Sequence, residues 1–224
     1  MHVAGDDGAA LAQAAADQAG SALRSASLYE QLERAYMGTA EALAAALEAK
    51  DSYTAHHARS IVEHAEAVGR RLGMDARQLR DLRFGAVFHD IGKIAVPEAI
   101  LNKRGPLTPD ERREIERHTI VGEQILAPVE FLAGARLLVR HEHERWDGHG
   151  YPDRLAGTDI PLGSRIILAC DALHAMTSDR PYRRAMSTEQ AWGELQANAG
   201  TQFDPRVVAA LLDVVNVAPV PSLT

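Results

Sequence analysis

Histidine and aspartate stand side by side at one point of this chain, in a setting that suits metal chemistry. His89 and Asp90 follow the apolar residues AVF, and Gly92 and Lys93 come directly after them. A neutral imidazole and a carboxylate are ligands for divalent transition metals. Neighbouring helical side chains point about 100° apart, so the pair serves one ion only from a helix end or kink. Gly92 fits such an end, since glycine commonly follows the last residue of a helix.

Further polar residues interrupt other apolar helical segments. Each of them, taken alone, is more often an ordinary core or surface residue. Together they would be costly to bury without compensation, and a shared metal centre would remove that cost. The first ion is expected to have four ligands: His57, His89, Asp90 and Asp171. Asp90 would bridge to a second ion, whose other ligands are His118, Glu142 and His143. Two ions about 3.5–4 Å apart, activating a hydroxide, commonly promote in-line displacement at phosphorus.

Composition limits the classes of function. The net charge of −7 argues against non-specific binding to nucleic-acid polymers, so an anionic ligand would need a local positive site. No apolar run approaches the length of about 18 residues typical of a membrane span, and the acidic first ten residues lack the order of a signal peptide. Cys170 is the single cysteine. It lies among apolar neighbours, which predicts a buried thiol and a cytoplasmic location.

Every long periodic segment is helical, which predicts an all-α fold. Capping boxes mark helix starts at Asp75, Thr108 and Ser187. One helix is expected to run from Thr108 through His118, and another from about residue 129 to 144. Residues 146–164 are rich in Gly, Pro and Asp and predict a loop.

The organisation that we expect has four parts. Residues 1–26 are a disordered or weakly helical tail, and 27–50 form a connecting helix. Residues 51–216 form the helical domain, and 217–224 form a C-terminal tail. The helix over 28–50 either packs on the domain or forms a homodimer and links it to an upstream sensor.

The chain resembles the HD-GYP family, a branch of the HD phosphohydrolases, over about residues 50–213. The matching segments are DSYTAHHARS, FHDIGKIAVPEAILNKRGPLTPDE, the helix with His118 and Gly122, HERWDGHGYP and RIILACDALHAMTSDRPYR. The resemblance implies an HD-type helical bundle that holds two or three metal ions, usually iron or manganese. It also implies hydrolysis of cyclic di-GMP to the linear dinucleotide pGpG or on to GMP, in bacterial signalling.

The resemblance assigns roles to individual residues. The family's ligand positions are matched by His57, His89, Asp90, His118, His143 and Asp171. Asp90 and Lys93 are the expected catalytic residues, because Lys93 matches a lysine that contacts a phosphate. The substrate pocket is expected to include Gly150, Tyr151, Pro152, His174, Arg180 and Arg183. Three arginines within residues 180–184 form a local basic patch, and arginine favours bidentate contact with phosphate.

The chain departs from the family pattern at three important positions. Glu142 stands where the family has the first of two adjacent histidines; either Glu142 binds the ion, or His141 takes the role by a register change. Tyr53 replaces the glutamate of three-metal members, which favours two metals. His174 replaces a common aspartate and is a pocket residue, a proton donor to the leaving oxygen or a packed core residue.

These departures keep two alternatives open beside hydrolysis of cyclic di-GMP. One is an HD phosphohydrolase that acts on another cyclic dinucleotide or on a mononucleotide. The other, from a different class, is a nucleotide-binding or partner-binding signalling module with weakened catalysis.

Overall fold

The computed structural model describes residues 6–48, 56–179 and 184–217, and all of its regular elements are helices. The α-helices are α1 (Asp6–Glu48), α2 (His56–Arg71), α3 (Ala76–Phe88), α4 (Glu98–Leu101), α5 (Pro109–Glu116), α6 (His118–Leu126), α7 (Ala133–Arg140), α8 (Leu162–Thr177), α9 (Thr188–Ala197) and α10 (Pro205–Val217). Short 3₁₀ turns lie at Ile91–Ala95, Glu130–Leu132 and Gly157–Asp159. The all-α prediction is confirmed.

The chain divides into two units, one up to Ala40 and the other from Glu41 onward. In the first unit the structure describes one element, the part of α1 from Asp6 to Ala40. It therefore includes most of the segment for which we expected a disordered or weakly helical tail. The division falls within α1, ten residues before the boundary expected at residue 50.

The predicted helix starts are confirmed at all three capping boxes. The side chains of Asp75, Thr108 and Ser187 each accept a hydrogen bond from the backbone N–H three residues later, and the Gln or Glu at that position returns one. Each box satisfies backbone donors that the first helical turn leaves without partners. These local bonds fix where α3, α5 and α9 begin.

A helical core holds the second unit together. Helix α3 packs on α2, α7 and α8, and α10 packs on α2, α8 and α9. Ile61 of α2, Leu82 of α3, Ile167 of α8 and Leu211 of α10 are fully or almost fully buried in one cluster. Cys170 belongs to the same cluster at 1% exposure, as its apolar neighbours predicted. Burial raises the pKa of its thiol.

Two predicted helices end differently in the structure. The helix expected from Thr108 through His118 breaks at Arg117, so that α5 ends at Glu116 and α6 begins at His118. The helix expected over about 129–144 is shorter, since α7 ends at Arg140. His141 and the residues after it therefore follow a turn rather than helical spacing.

None of the helices in the described ranges has both the length and the apolar character that crossing a bilayer requires.

Candidate metal centre

His89 and Asp90 lie at the end of a helix, as predicted. Helix α3 ends at Phe88, and His89 follows it with helical dihedral angles. Asp90 departs from the helix with φ −95° and ψ 5°, and the 3₁₀ turn Ile91–Ala95 continues from it. The change of direction allows the two neighbouring side chains to approach a common point.

Gly92 lets this turn approach α6 closely. A Cβ atom at Gly92 would lie 1.9 Å from the carbonyl oxygen of His118 and 2.6 Å from the backbone nitrogen of Gly122. Only a residue without a side chain fits between two backbones at that separation. The predicted role for Gly92 was to end the helix, but its φ is not left-handed. It brings Asp90 next to His118.

Four predicted ligands converge in one cluster. One ligand atom from each of Asp90, His118, Glu142 and His143 lies within 4.8 Å of the others. His118 Nε2 is 3.2 Å from Glu142 Oε1 and 3.7 Å from Asp90 Oδ1, and His143 Nε2 is 4.0 Å from Glu142 Oε1. We call this group the catalytic cluster, after the role that the sequence predicts for it.

His89 approaches Asp90 from the other side of the carboxylate. Its Nε2 is 3.4 Å from Asp90 Oδ2, whereas His118 faces Oδ1. Asp90 thus lies between two imidazoles and presents one oxygen to each. This is the arrangement expected of a bridging carboxylate.

Two backbone carbonyls orient the imidazole rings. His89 Nδ1 donates to the carbonyl of Ala86 at 2.8 Å, and His118 Nδ1 donates to the carbonyl of Ile115 at 2.7 Å. A carbonyl only accepts, so the proton of each neutral ring lies on Nδ1 and the Nε2 lone pair points to the cluster. Metal-binding histidines are commonly held in this way.

Glu142 fits a cation well. The side chain is 1% exposed, and in the described part of the chain its Oε2 atom is buried without a hydrogen-bond partner. A buried carboxylate oxygen without a partner is costly, and a bound ion would relieve that cost. The donor set of imidazoles and carboxylates suits iron, manganese or zinc.

Burial and mutual charge shift the pKa values of the cluster. Burial alone would lower the pKa of His89, but Asp90, Glu142 and Asp171 reverse this effect and raise it to about 10. Burial raises the pKa of Glu142 to about 7 against the opposing effect of His118. Burial also lowers the pKa of His143 to about 3, which keeps that ring neutral. The raised pKa values of His89 and Glu142 favour their protonated forms in the metal-free protein, and a divalent ion would have to displace those protons.

Lys93 lies at the edge of the cluster. Its Nζ atom donates to Asp90 Oδ2 at 2.6 Å, and both side chains are 25% exposed. Burial would raise the pKa of Asp90, but Lys93 and His89 hold it well below its usual range. Lys93 and His89 thus favour the ionised form of Asp90.

Other predicted residues lie farther out or outside the described residues. Asp171 on α8 acts on the charge of His89 but is not one of the four clustered ligands. His174, one turn later, has its ring nitrogens 3.3 and 3.4 Å from the Ser178 hydroxyl, and its three expected roles stay open. The side chain of His57 is not described by the structure, and Tyr53, Arg180 and Arg183 lie outside the described residues.

The segment over residues 145–152, which we call the GYP loop, packs against the catalytic cluster. A Cβ atom at Gly150 would lie 2.4 to 2.5 Å from the backbone of residues 143–145, so only glycine fits there. Tyr151 follows, and its ring lies 5.0 Å from that of His143 with 30° between the ring planes. The predicted loop therefore contacts a predicted metal ligand through Tyr151.

A pocket of about 560 Å³ opens between the GYP loop and the helices α5 and α6. Tyr151 and Pro152 line one side, and Arg113 and Arg117 line the other. Arg154 lies at the edge of the pocket, with a left-handed φ of 55°. Glu116 also lines the pocket, so arginines outnumber carboxylates there, and Tyr151 contacts both the pocket and the predicted metal ligand His143.

The structure does not bring His141, the alternative to Glu142, into the catalytic cluster. Its ring faces Glu144 and Asp153 instead, in a second group of possible ligands. The chain leaves the helix at Arg140, so His141 and Glu142 point to different sides. Sequence reasoning missed this second group. Its one signal was the position of Glu144 and Asp153 on either side of the glycine-rich loop.

Comparisons with known proteins agree with the geometry. The family model described as HD domain matches residues 41–207. The cyclic di-GMP phosphodiesterase response regulator RpfG of Xanthomonas campestris is 38% identical over 185 residues, which cover 81% of this chain and 49% of RpfG. The 3'3'-cGAMP-specific phosphodiesterase 3 of Vibrio cholerae is 37% identical, with 77% of this chain and 38% of that protein covered.

A solved structure supports the fold. The crystal structure of a cyclic GMP-AMP-specific phosphodiesterase of Vibrio cholerae superimposes with a TM-score of 0.66 at 20% identity, and covers 80% of this chain and 48% of that one. The chain spans about half or less of the length of the curated relatives that it matches.

Proposed function

The chain belongs to the HD domain family, in its HD-GYP branch, and we propose that it is a metal-dependent phosphodiesterase for cyclic di-GMP. The products are the linear dinucleotide pGpG, GMP or both. The observation that carries the proposal is the convergence of Asp90, His118, Glu142 and His143 on one point. The likeness to HD-type phosphodiesterases supports the same reaction.

The proposed metal centre holds two divalent ions, of iron or manganese. His89, Asp90 and Asp171, with His57, would hold one ion, and His118, Glu142 and His143 would hold the other with Asp90 shared. When bound, such ions supply a hydroxide at neutral pH and stabilise negative charge on phosphoryl oxygens. The lone pairs on Nε2 of His89 and His118, set by the carbonyl bonds, support this assignment.

Residues around the ions would position the substrate. Lys93 is a partly exposed ammonium at the cluster, suited to a non-bridging phosphoryl oxygen. Tyr151 contacts both His143 and the basic pocket, so a dinucleotide with one phosphate at the cluster could extend past it toward Arg117. Arg180 and Arg183 remain proposed contacts to the same substrate.

A second candidate substrate is the mixed dinucleotide 3'3'-cGAMP. Relatives named for cyclic di-GMP and for 3'3'-cGAMP match this chain at nearly equal identity, 38% and 37%. Identity therefore does not favour one base over the other. His149, exposed in the GYP loop, and His174 are positions at which the two substrates would be distinguished. A binding module with weakened catalysis is the remaining alternative.

The test combines metal content with turnover in one anaerobically purified sample. We expect about two ions per chain and hydrolysis of cyclic di-GMP, with 3'3'-cGAMP and a mononucleotide diester compared in parallel. Asp90→Ala should lose both metal and turnover. Asp213→Ala removes an exposed carboxylate that pairs with Arg71 and should change neither.

The outcomes separate the alternatives. Retained turnover in Asp90→Ala would refute the proposed mechanism. Full metal content with hydrolysis of 3'3'-cGAMP alone would identify 3'3'-cGAMP, rather than cyclic di-GMP, as the substrate. Nucleotide binding without hydrolysis, with iron and manganese both supplied under reducing conditions, would favour the binding module.

Partners and location complete the proposal. We propose homodimerisation through residues 28–50, because Leu28, Leu32 and Leu43 are 49–65% exposed along α1. An upstream sensor would act through the same helix. A cytoplasmic location fits the free, buried thiol of Cys170, since the cytosol keeps thiols reduced.

A further inference from the structure

A second group of possible ligands lies beside the catalytic cluster, around His141. One ligand atom from each of His141, Glu144 and Asp153 lies within 4.8 Å of the others. Glu144 and Asp153 are the residues next to the two ends of the GYP loop. The side chain of Glu144 is completely buried and that of His141 is 12% exposed. We propose that these three residues bind a separate divalent cation of the zinc class, which clamps the loop.

The separations between ligand atoms match those around a tetrahedral ion. His141 Nδ1 is 3.5 Å from Asp153 Oδ2 and 3.7 Å from Glu144 Oε1. These distances are too long for hydrogen bonds. Zinc bonds of about 2.1 Å at tetrahedral angles would place two ligand atoms about 3.4 Å apart.

Two atoms of the group are buried without a hydrogen-bond partner in the described ranges. They are His141 Nδ1 and Glu144 Oε2. The other oxygen of Glu144 accepts from the backbone N–H of Asp153 at 2.7 Å, which holds the carboxylate in the group. A cation between the three side chains would give a partner to the lone pair of His141 and to the carboxylate of Glu144.

The local charge also favours a cation. Arg140 binds both oxygens of Asp153, at 2.7 and 2.9 Å, and it pairs with Glu123 as well. The one guanidinium thus pairs with two carboxylates, those of Glu123 and Asp153, and the buried Glu144 adds a third carboxylate beside His141. The hydrogen bonds from Arg140 hold Asp153 so that its Oδ2 faces His141. Residues that hydrogen-bond to a metal ligand commonly orient it in this way.

The site would be distinct in role from the catalytic cluster. His141 and Glu144 flank Glu142 and His143 along the chain, but they face the other group of ligands. An ion there would join the start and the end of the GYP loop, whose Tyr151 packs on His143. It would thereby hold Tyr151 in position without contact to the substrate.

The test is zinc binding by a chain in which the catalytic cluster is disabled. In the double variant Asp90→Asn, His118→Ala, titration with Zn²⁺ in a buffered chelator series should find about one ion per chain. Adding His141→Ala should abolish this binding, and adding Asp153→Asn should weaken it at least tenfold. His149→Ala is the matched control, because it removes an imidazole that is 81% exposed and should leave affinity within twofold.

A second measurement keeps the proposal testable if the double variant does not fold. In the otherwise unchanged chain loaded with Zn²⁺, His141→Ala should lower metal content by about one ion relative to His149→Ala. Trp146 lies in the GYP loop and reports on its position. Removal of Zn²⁺ by a chelator should change the fluorescence of Trp146 more in the parent than in His141→Ala. Equal zinc content and affinity with and without His141 would overturn the proposal.

Discussion

Gly92→Ala tests whether close packing of two backbones builds the catalytic cluster. The added Cβ would lie 1.9 Å from the His118 carbonyl oxygen, more than 1 Å inside the 3.0 Å at which real Cβ contacts essentially end. Its second neighbour, the nitrogen of Gly122, is also backbone, so no side-chain rotation relieves the contact. The turn must move away from α6.

This movement should lower both the stability and the activity of the protein. Overpacking of this kind costs about 1–3 kcal/mol, and a contact between two backbones belongs at the upper end. At about 2–4 °C per kcal/mol for a chain of this size, the melting temperature should fall by about 6–12 °C. A shift of about 1 Å also separates Asp90 from His118, now 3.7 Å apart, and such a displacement typically costs about 100-fold in rate.

The assay compares metal-free and metal-loaded protein. Thermal unfolding of the metal-free form isolates the packing cost, and metal content with turnover of the loaded form reports the cluster. Gly193→Ala is the matched control, because this glycine lies within α9 and an added Cβ would meet no atom within 4 Å. It should raise stability by about 0.4–1 kcal/mol. If the free energy of unfolding of Gly92→Ala is within about 0.5 kcal/mol of that of the parent and the variant keeps full metal content, the packing argument is refuted.

Further predictions concern the pH dependence, the loop and the first unit. Metal affinity should rise from about pH 6 to 8, because ions bind the deprotonated ligands and the pKa of Glu142 is raised to about 7. In Glu142→Gln, the binding of the ion should release about one proton fewer, so affinity should rise less steeply with pH, as measured by competition with a chelator. Tyr151→Ala should lower turnover at least tenfold with unchanged metal content, whereas Tyr151→Phe keeps the ring on His143 and should restore most of it. Joint replacement of Leu28 and Leu32 by Asn should convert a dimer to a monomer in light scattering; a parent that is already monomeric contradicts the dimer proposal.

Local signals in the sequence predicted the local structure well. The capping boxes at Asp75, Thr108 and Ser187 need only four consecutive residues, and all of them form as expected. The sequence also predicted that a helix ends near His89 and Asp90, and α3 ends at Phe88, although Gly92 does not end it in the expected way. Such features depend on neighbours in the chain, so they can be predicted before any tertiary contact is known.

Tertiary contacts set the features that sequence reasoning missed. Nothing near Gly92 in the chain indicates that it faces the backbone of Gly122, thirty residues later. The break at Arg117 lets His118 begin a new helix, and helical periodicity carries no mark of it. The choice between His141 and Glu142 likewise depended on where α7 ends, since one more helical residue would rotate both side chains by about 100°.

Glu142 makes the candidate centre electrostatically unlike the family pattern with two histidines. A carboxylate in place of a neutral imidazole adds one negative charge beside Asp90, and in the metal-free protein protons compensate for it, as the raised pKa values of His89 and Glu142 indicate. A bound ion must displace these protons, so the same substitution that strengthens attraction to the cation makes binding more dependent on pH. Because an oxygen donor replaces a nitrogen donor, the preference should also move toward harder ions such as Mn²⁺. Glu142→His should therefore shift the manganese-to-iron preference back toward iron, and an unchanged preference would show that the other ligands determine it.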